Sequence, residues 1–338
     1  MARTISKSLL LLGFAIGICC VLYPLALWIV GQTVFPFQAN GSLLKGPDGS
    51  VVGSRIIAQP FTNDGYFQPR PSAASYDATA STSSSLAASN YALRDRVARS
   101  IGPIAKYKAG PKAGQPVAPD VETWFQKDVY QGKPGIVAQW AEQHGSLAQA
   151  WAKADPKNGD YVDGWAKGHP DAVARWVKEN PATPQPKPDD LAIVFFESFS
   201  RGHPGAFPSA VTKTGQDGKP ETNVEPVREG PDVQSIFFAM WRDDNAEADL
   251  ADVPGDLVTT SASGLDPHIT LQNAEFQLDR VASKRAADLK RDPADVRKEI
   301  EQILRENASA PLGGLAGERF VNVLEVNLRL RQLYGPPA

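Results

Sequence analysis

Four side chains close together in the sequence could support nucleophilic hydrolysis. Ser261, Ser263, Asp266 and His268 lie in one short stretch, and a serine hydroxyl activated by an oriented histidine is a common hydrolase arrangement. Such a triad is assembled in space rather than along the chain, and no G-x-S-x-G elbow surrounds either serine. The alternative is a turn whose serine and aspartate side chains bond to nearby backbone amides. The sequence favours the turn.

Phosphate-binding and metal-binding motifs are not found elsewhere in the sequence. No GxxxxGK[ST] loop occurs, and no GxGxxG follows a strand pattern. The histidines are scattered without partners at i, i+4, at positions His144, His169, His203 and His268. The two cysteines, Cys19 and Cys20, are adjacent within an apolar run. We therefore expect no metal site. Gln277 and Arg280 are three residues apart and share one face of a helix, a pair that is usually solvated.

Composition excludes nucleic acid as a partner. The chain has 338 residues with a formal net charge of −3 and a pI near 5.9, so it lacks the basic footprint of a polyanion-binding protein. Its length fits one large or two ordinary domains.

The N-terminal stretch from Ser8 to Val30 predicts a transmembrane helix. It is uncharged and has roughly the ~20 residues that cross a bilayer core. A signal peptide is the alternative, but the run is long for one and no small-x-small cleavage site follows. Arg3 and Lys7 precede the run, which places the N-terminus in the cytoplasm and the remaining chain outside. We expect a single-pass protein of the cell (inner) membrane.

Several elements must position the serine-rich stretch. Breakers at 264–267 predict an ordered loop over Ser261–His268, and Thr270 is placed to cap the helix that follows. Ala286–Glu306 predicts a helix pair broken near Pro293. The alternation in Phe320–Leu330 predicts a closing strand.

The first half of the chain predicts short strands followed by one helix. Asn40–Tyr76 combines turn glycines with short apolar runs, which is typical of β-hairpins. Ser81–Ser85 is expected to be a mobile serine loop, and Tyr91–Ile101 has a helical pattern. Gly102–Pro119 and Pro181–Pro188 have linker composition.

A tryptophan repeat lies between the two predicted linkers. Four copies can be aligned on Trp140, Trp151, Trp165 and Trp176, each ending in Pro or Gly. The pattern predicts four very short helices packed around tryptophans, with His144 and His169 at helix ends as capping residues. Core packing of the tryptophans is favoured over an exposed partner-binding surface. Gly202–Gly230 is expected to be a polar loop.

Several blocks of the sequence resemble the KdpC family, the C subunit of the Kdp potassium-transporting ATPase. The blocks occur in family order, and they are Tyr23-Pro24-Leu25, Ile57–Phe61, Gly65-Tyr66-Phe67, Arg70–Ala73, Asp256–Thr259, Ser261–Asp266, Gln277 with Arg280-Val281-Ala282, and Val321–Leu328. They cover about residues 1–101 and 250–335. The family's SGGSNL block, which has been likened to a nucleotide-binding signature loop, is Ser81–Leu86 here. Both of its glycines are replaced, so the close approach of the backbone to a phosphate that glycine permits would be lost. This weakens the expectation that the block binds a nucleotide.

The resemblance implies an accessory subunit without its own active site. It would assemble or stabilise a potassium uptake complex with a KdpA-like channel subunit, a KdpB-like ATPase and a small KdpF-like peptide, and act as a catalytic chaperone that raises the ATP affinity of KdpB. No tightly bound cofactor is implied, only ATP shared with the KdpB-like subunit. The nucleotide-binding candidates carried over are Gln277, Ser261, Ser263 and Gly264. The motif residues with a structural role are Arg70, Pro71, Ser72, Asp266, Arg280, Asn322, Glu325 and Asn327.

These inferences predict one fold and leave two alternatives for the function. We expect one transmembrane helix and a soluble α+β domain of mixed sheet and helices, with an inserted, mainly helical, Trp-rich subdomain. The expected divisions are 1–31, 32–101, 102–249 (the insertion) and 250–338. A soluble domain outside the membrane would not meet cytoplasmic ATP, so it could instead rest on the A subunit near the ion entrance. The alternatives to a transport subunit are a membrane-tethered hydrolase and an extracytoplasmic binding module that uses the tryptophan region.

Overall fold

The computed structural model describes residues 2–46, 49–214, 218–315 and 317–338. The helices are α1 (Ala2–Ile16), α2 (Tyr23–Val34), α3 (Pro36–Ala39), α4 (Tyr91–Ile101), α5 (Ala118–Gln126), α6 (Ile136–Gln143), α7 (Gly145–Ala154), α8 (Pro156–Gly168), α9 (Pro170–Glu179), α10 (Ala192–Gly202), α11 (Pro231–Asp244), α12 (Gly255–Val258), α13 (Leu271–Leu289), α14 (Pro293–Asn307) and α15 (Val323–Tyr334). The strands are β1 (Leu43–Lys45), β2 (Val51–Ser54), β3 (Val129–Tyr130), β4 (Lys133–Pro134), β5 (Phe207–Thr214), β6 (Pro220–Val227), β7 (His268–Thr270) and β8 (Phe320–Asn322). Each strand pairs with one other, in antiparallel sheets β1–β2, β3–β4, β5–β6 and β7–β8.

The N-terminal helix is long and apolar enough to cross a membrane. It runs over Arg3–Val34, 32 residues with a mean hydropathy of 2.4 in its most apolar window and none of that window buried. A π-helical turn at Gly17–Leu22 joins α1 to α2, and Pro24 follows in the first turn of α2. The length and apolarity agree with the predicted anchor, although a signal sequence passes the same test.

The chain forms two compact units. Unit 1 consists of Met1–Ser85 and Val253–Ala338, and unit 2 of Leu86–Asp252. Unit 1 is therefore built from two distant parts of the sequence.

The core of unit 1 lies between helices and one small sheet. The apolar faces of α13, α14 and α15 pack with Phe67 and the β7–β8 pair. Thr270 caps α13 as predicted, since its Oγ1 accepts a hydrogen bond from Asn273 N at 3.1 Å. Helix α13 ends at Leu289 and α14 begins at Pro293, so the predicted break in the helix pair is confirmed.

The predicted closing strand over Phe320–Leu330 is wrong for most of its length. Only Phe320–Asn322 is a strand, and the rest belongs to α15. Asn322 caps this helix by accepting a hydrogen bond from Glu325 N at 3.2 Å. The buried positions Val323, Val326 and Leu330 have helical rather than alternating spacing. The cap and this spacing outweigh the apparent alternation.

Unit 2 has a core of aromatic residues. Helices α6 to α9 correspond one to one to the four tryptophan repeats. Trp140 is 1 % exposed, whereas Trp151, Trp165 and Trp176 are half-buried against the same core. His169 caps a helix end as predicted, because its Nδ1 bonds to the Trp165 carbonyl oxygen at 2.8 Å.

Two predictions for unit 2 are wrong. Gly202–Gly230 was expected to be a loop, but it contains the β5–β6 hairpin, with eight residue pairs from Phe207↔Val227 to Thr214↔Pro220. Its strands are apolar only near one end, so the sequence shows no sustained apolar alternation. Gly102–Pro119 was expected to be a linker. Instead Ala105 and Val117 are buried and bonded to each other, Val117 N donating to Ala105 O at 2.9 Å.

Candidate functional site

The stretch Asp64–Gln68, here called the GYF segment, runs without regular secondary structure past α13 and α15. Phe67 is buried in the core of unit 1. Because a buried backbone needs hydrogen-bond partners and this segment has no neighbouring strand, side chains from the helices must supply them.

Two amide side chains pair with consecutive residues of the GYF segment. Gln277 Oε1 accepts from Gln68 N at 2.7 Å, and its Nε2 donates to Gln68 O at 3.0 Å. Asn327 does the same for Phe67, accepting from the amide at 2.9 Å and donating to the carbonyl at 2.8 Å. Each amide thus takes the place of a peptide group on an adjacent strand.

Two arginines of α13 bind the other carbonyls of the segment. Arg280 Nη1 donates to Asp64 O at 2.8 Å and to Tyr66 O at 3.2 Å. Arg285 Nε donates to Gly65 O at 2.8 Å. Arg285 is 1 % exposed, and its guanidinium lies over the Tyr66 ring at 5.0 Å. Burial lowers the pKa of both arginines, and both remain charged at neutral pH.

Gln277 and Arg280 share a helix face, as the spacing predicts, but they are not a solvated pair. Arg280 Nη2 donates to Gln277 Oε1 at 2.8 Å, and Gln277 Nε2 also donates to Asn273 Oδ1 at 2.8 Å. Gln277 is 5 % exposed. Its amide is therefore fully engaged within the chain.

The serine-rich loop before β7 packs on the Arg70–Ala73 block. Arg70 Nη2 donates to Thr260 O at 3.2 Å, and Ser72 Oγ donates to Gly264 O at 2.5 Å. Pro71, which lies between Arg70 and Ser72 in the sequence, is half-buried. Gly264 has a φ of +70°, and a Cβ there would lie 2.8 Å from Thr82 O. Only glycine fits this position without strain.

The serine segment Ser81–Ser85 is held against this loop rather than free. Thr82 N donates to Ser263 O at 3.0 Å, and Ser81 Oγ donates to the same carbonyl at 3.2 Å. Thr260 Oγ1 bonds to Ser84 Oγ at 3.2 Å. These contacts form although the segment contains no glycine.

The candidate hydrolase residues form a turn. Ser263 Oγ accepts from Leu265 N at 3.1 Å, and Ser261 Oγ accepts from Asp266 N at 3.5 Å. His268 Nδ1 bonds to Asp266 Oδ1 at 3.0 Å, and this bond holds the pKa of Asp266 below its usual value. Among the described residues, no hydrogen bond joins either serine hydroxyl to His268. The geometry favours the turn over a catalytic triad.

The closing block positions the start of α15. Asn322 Nδ2 donates to Arg55 O at 2.7 Å, and the Glu325 carboxylate pairs with Arg55 Nε at 2.9 Å. Asn322 and Glu325 thereby join β8 and α15 to the segment that follows β2.

Each nucleotide candidate is hydrogen-bonded to other parts of unit 1. Gln277 and the loop Ser261–Gly264 are not joined by any hydrogen bond among the described residues, and each is engaged elsewhere. A nucleotide role for them stays a prediction. Within the same described part of the chain, no group of three or more His, Cys, Asp or Glu side chains could hold a metal ion.

Arg285 was not identified as a functional residue from the sequence. Its position could have indicated this role, because Arg285 lies four residues after Val281 and eight after Gln277, on the apolar face of α13. A charged residue at such a position indicates a specific buried partner.

Comparison with known proteins shows which sequences this chain resembles. The sequence profile of the family described as "KdpC: K+-transporting ATPase, c chain" matches residues 5–123 and 233–332. The chain is 52 % identical over 109 residues to a potassium-transporting ATPase KdpC subunit of Pseudomonas putida (strain W619), covering 32 % of this chain and 56 % of the relative. It is 44 % identical over 104 residues to the subunit of that name from Methanosphaerula palustris, covering 31 % and 56 %. The chain spans about half the length of the curated relatives it matches.

Proposed function

Because the chain belongs to the KdpC family, whose profile matches more than half of it, we propose that it is a membrane-anchored accessory subunit of an ATP-driven potassium uptake complex. The complex would contain a KdpA-like channel subunit, a KdpB-like ATPase and a small KdpF-like peptide. The subunit itself would have no active site.

The observation that carries this proposal is the engagement of the family blocks with one another in unit 1. Gln277, Arg280 and Asn327 all bond to the backbone of the GYF segment. Ser72 bonds to the loop of Gly264. These residues hold a shape instead of presenting reactive groups, which suits a subunit that assembles or stabilises its partners.

We further propose that the subunit raises the ATP affinity of the KdpB-like ATPase through assembly. The Gln277 amide has its bonds satisfied inside unit 1, so it is not free to contact a shared ATP in this conformation. Its part would be to hold the GYF segment in place.

The topology is a proposal as well. Arg3 and Lys7 at the start of the anchor place the N-terminus in the cytoplasm, with unit 2 and the part of unit 1 that follows the anchor outside the inner membrane. Residues 124–232 lie between the ranges that match the family, and we propose that most of unit 2 is a helical, Trp-rich insertion. A soluble part on that side would contact the channel subunit near its ion entrance.

Co-purification tests the assignment. The protein would be tagged before Arg3, because Ala338 N bonds to Asp288 Oδ2 at 3.1 Å and a tag there would disturb unit 1. From membranes of potassium-starved cells in mild detergent, we expect a polytopic channel-like protein and a P-type ATPase to co-purify with potassium-stimulated ATPase activity. Recovery of the expressed chain without either protein would refute the proposal.

A Gln277→Ala variant separates assembly from nucleotide contact. If Gln277 acts by positioning, less complex is recovered, and the complex that does form has the wild-type KM for ATP. A normal yield of complex with a raised KM would instead support direct contact with the nucleotide.

A further inference from the structure

A cleft between α8 and α10 lies in unit 2, outside the ranges that match the family. Tyr161 and Trp165 of α8 and Phe195 and Phe199 of α10 line it, and its volume is about 460 Å³. The ring centroids of Tyr161 and Trp165 lie 5.9 and 5.8 Å from that of Phe195. A concavity of this size, lined by aromatic rings, suits a small organic ligand.

Two glycines line this cleft. Gly164 of α8 and Gly202 at the end of α10 line it, and a Cβ built on either would meet no atom within 4 Å. Glycine within a helix is less stable than alanine, and no close contact requires it at position 164. A larger side chain at this position would project into open space and can therefore be used to fill the cleft.

A polar concavity adjoins the aromatic one. It shares Trp165, His169 and Ser198 with the cleft and has a volume of about 560 Å³. Trp165 Nε1 donates to Ser198 Oγ at 3.0 Å, and the indole stacks on His169 at 5.0 Å. The indole orientation is therefore fixed without a ligand, which lowers the entropic cost of binding.

Charged groups of both signs line the polar concavity and are unengaged. Arg175, Arg201 and Glu197 line it together with Asp171 and Glu179. Their side chains make no hydrogen bond or ion pair with the residues that the structure describes. Donors and acceptors are thus both available beside an aromatic surface.

A sugar chain matches this combination. A pyranose ring has an apolar C–H face that stacks on an indole, and hydroxyl groups at its rim that both donate and accept. A purely apolar ligand would make no use of the charged groups, and the acidic groups outnumber the arginines, which disfavours a phosphorylated ligand. We propose that this groove across Trp165 binds an oligosaccharide.

Calorimetry on the full chain tests the proposal, in a detergent without a sugar head group. The probes are cellotetraose, maltotetraose and chitotetraose, and we expect the wild type to bind at least one with a Kd below about 1 mM. Gly164→Leu fills the cleft and should weaken binding at least tenfold. Asp163→Leu puts the same side chain on the adjacent exposed position and should bind as the wild type does.

Two further measurements complete the test. Should Gly164→Leu fail to fold, Arg201→Ala, which removes an exposed side chain, should also weaken binding. Co-sedimentation of the protein with isolated peptidoglycan shows where the bound oligosaccharide comes from. If the protein sediments with peptidoglycan and also binds chitotetraose, the ligand is wall glycan. If it binds cellotetraose or maltotetraose and does not sediment, the ligand is a free saccharide. If no probe binds the wild type and it does not sediment, or if Gly164→Leu binds as Asp163→Leu does, the proposal is wrong. The subunit assignment does not depend on this result.

Discussion

Replacing Gln277 by alanine tests whether side chains hold the GYF segment. The change removes both hydrogen bonds to Gln68, and an unpaired buried donor or acceptor costs about 1–3 kcal/mol. Gln68 is half-buried, so water can replace part of the loss. We expect the free energy of unfolding of unit 1 to fall by roughly 2–3 kcal/mol.

Hydrogen exchange measured by mass spectrometry can detect this loss in the full chain. A fall of this size makes the amide of Phe67 and those of α15 exchange roughly 30-fold faster or more, if they exchange by unfolding of unit 1. Tryptophan fluorescence provides an internal reference, because every tryptophan outside the anchor lies in unit 2. The unfolding transition seen by fluorescence should not move.

The matched control is Gln302→Ala on α14. Gln302 is exposed, and its amide bonds only to Glu306 on the same helix, at 2.7 Å, so the change should cost less than about 0.5 kcal/mol. If Gln277→Ala alters exchange no more than Gln302→Ala does, the amide pairing does not stabilise the segment and the reasoning is refuted.

Three further predictions concern single positions. Gly264→Ala should destabilise unit 1 by roughly 1–3 kcal/mol, measured by hydrogen exchange, since the position has positive φ and little space; an unchanged exchange rate would contradict this. The hydrogen bond from His268 lowers the pKa of Asp266, so its contribution is present above the unfolded pKa and is lost as pH falls through the lower, folded value. Asp266→Asn should therefore flatten the loss of unit 1 stability below about pH 4, and an unaltered acid profile would exclude this pair as a cause. In unit 2, Trp140→Ala should cost about 3–5 kcal/mol in denaturant unfolding, and the half-buried Trp176→Ala clearly less; equal costs would contradict the unequal burial.

Local signals in the sequence predicted several elements correctly. The helix Tyr91–Ile101, the Thr270 cap and the break before Pro293 each depend on residues within one or two turns. The short helices of the tryptophan repeat were predictable because every copy ends in Pro or Gly.

The elements that were missed depend on distant partners. The β5–β6 hairpin is mostly polar, so its pairing left no apolar periodicity to find. In β8 and α15, alternating valines and leucines resembled a strand, and the outcome was decided by the Asn322 cap and by packing on α13 and α14.

The candidate site also depends on a distant partner that the sequence could not predict. The resemblance singled out Gln277, but its partner is the backbone of Gln68, 209 residues away in sequence. Every residue except proline carries the same backbone donor and acceptor, so the residue type at position 68 could not identify this partner.

The division of unit 1 into two distant segments has a consequence for biosynthesis. Roughly 170 residues of unit 2 separate its halves, and at about 5–20 residues per second the ribosome needs on the order of 10–30 s to make them. Throughout that time Phe67 and the GYF segment have emerged without α13 and α15. The first half cannot bury Phe67 during that time, whereas unit 2, being continuous, can fold as soon as it is complete. Once folded, unit 2 replaces a long flexible loop and lowers the entropic cost of bringing the two halves together.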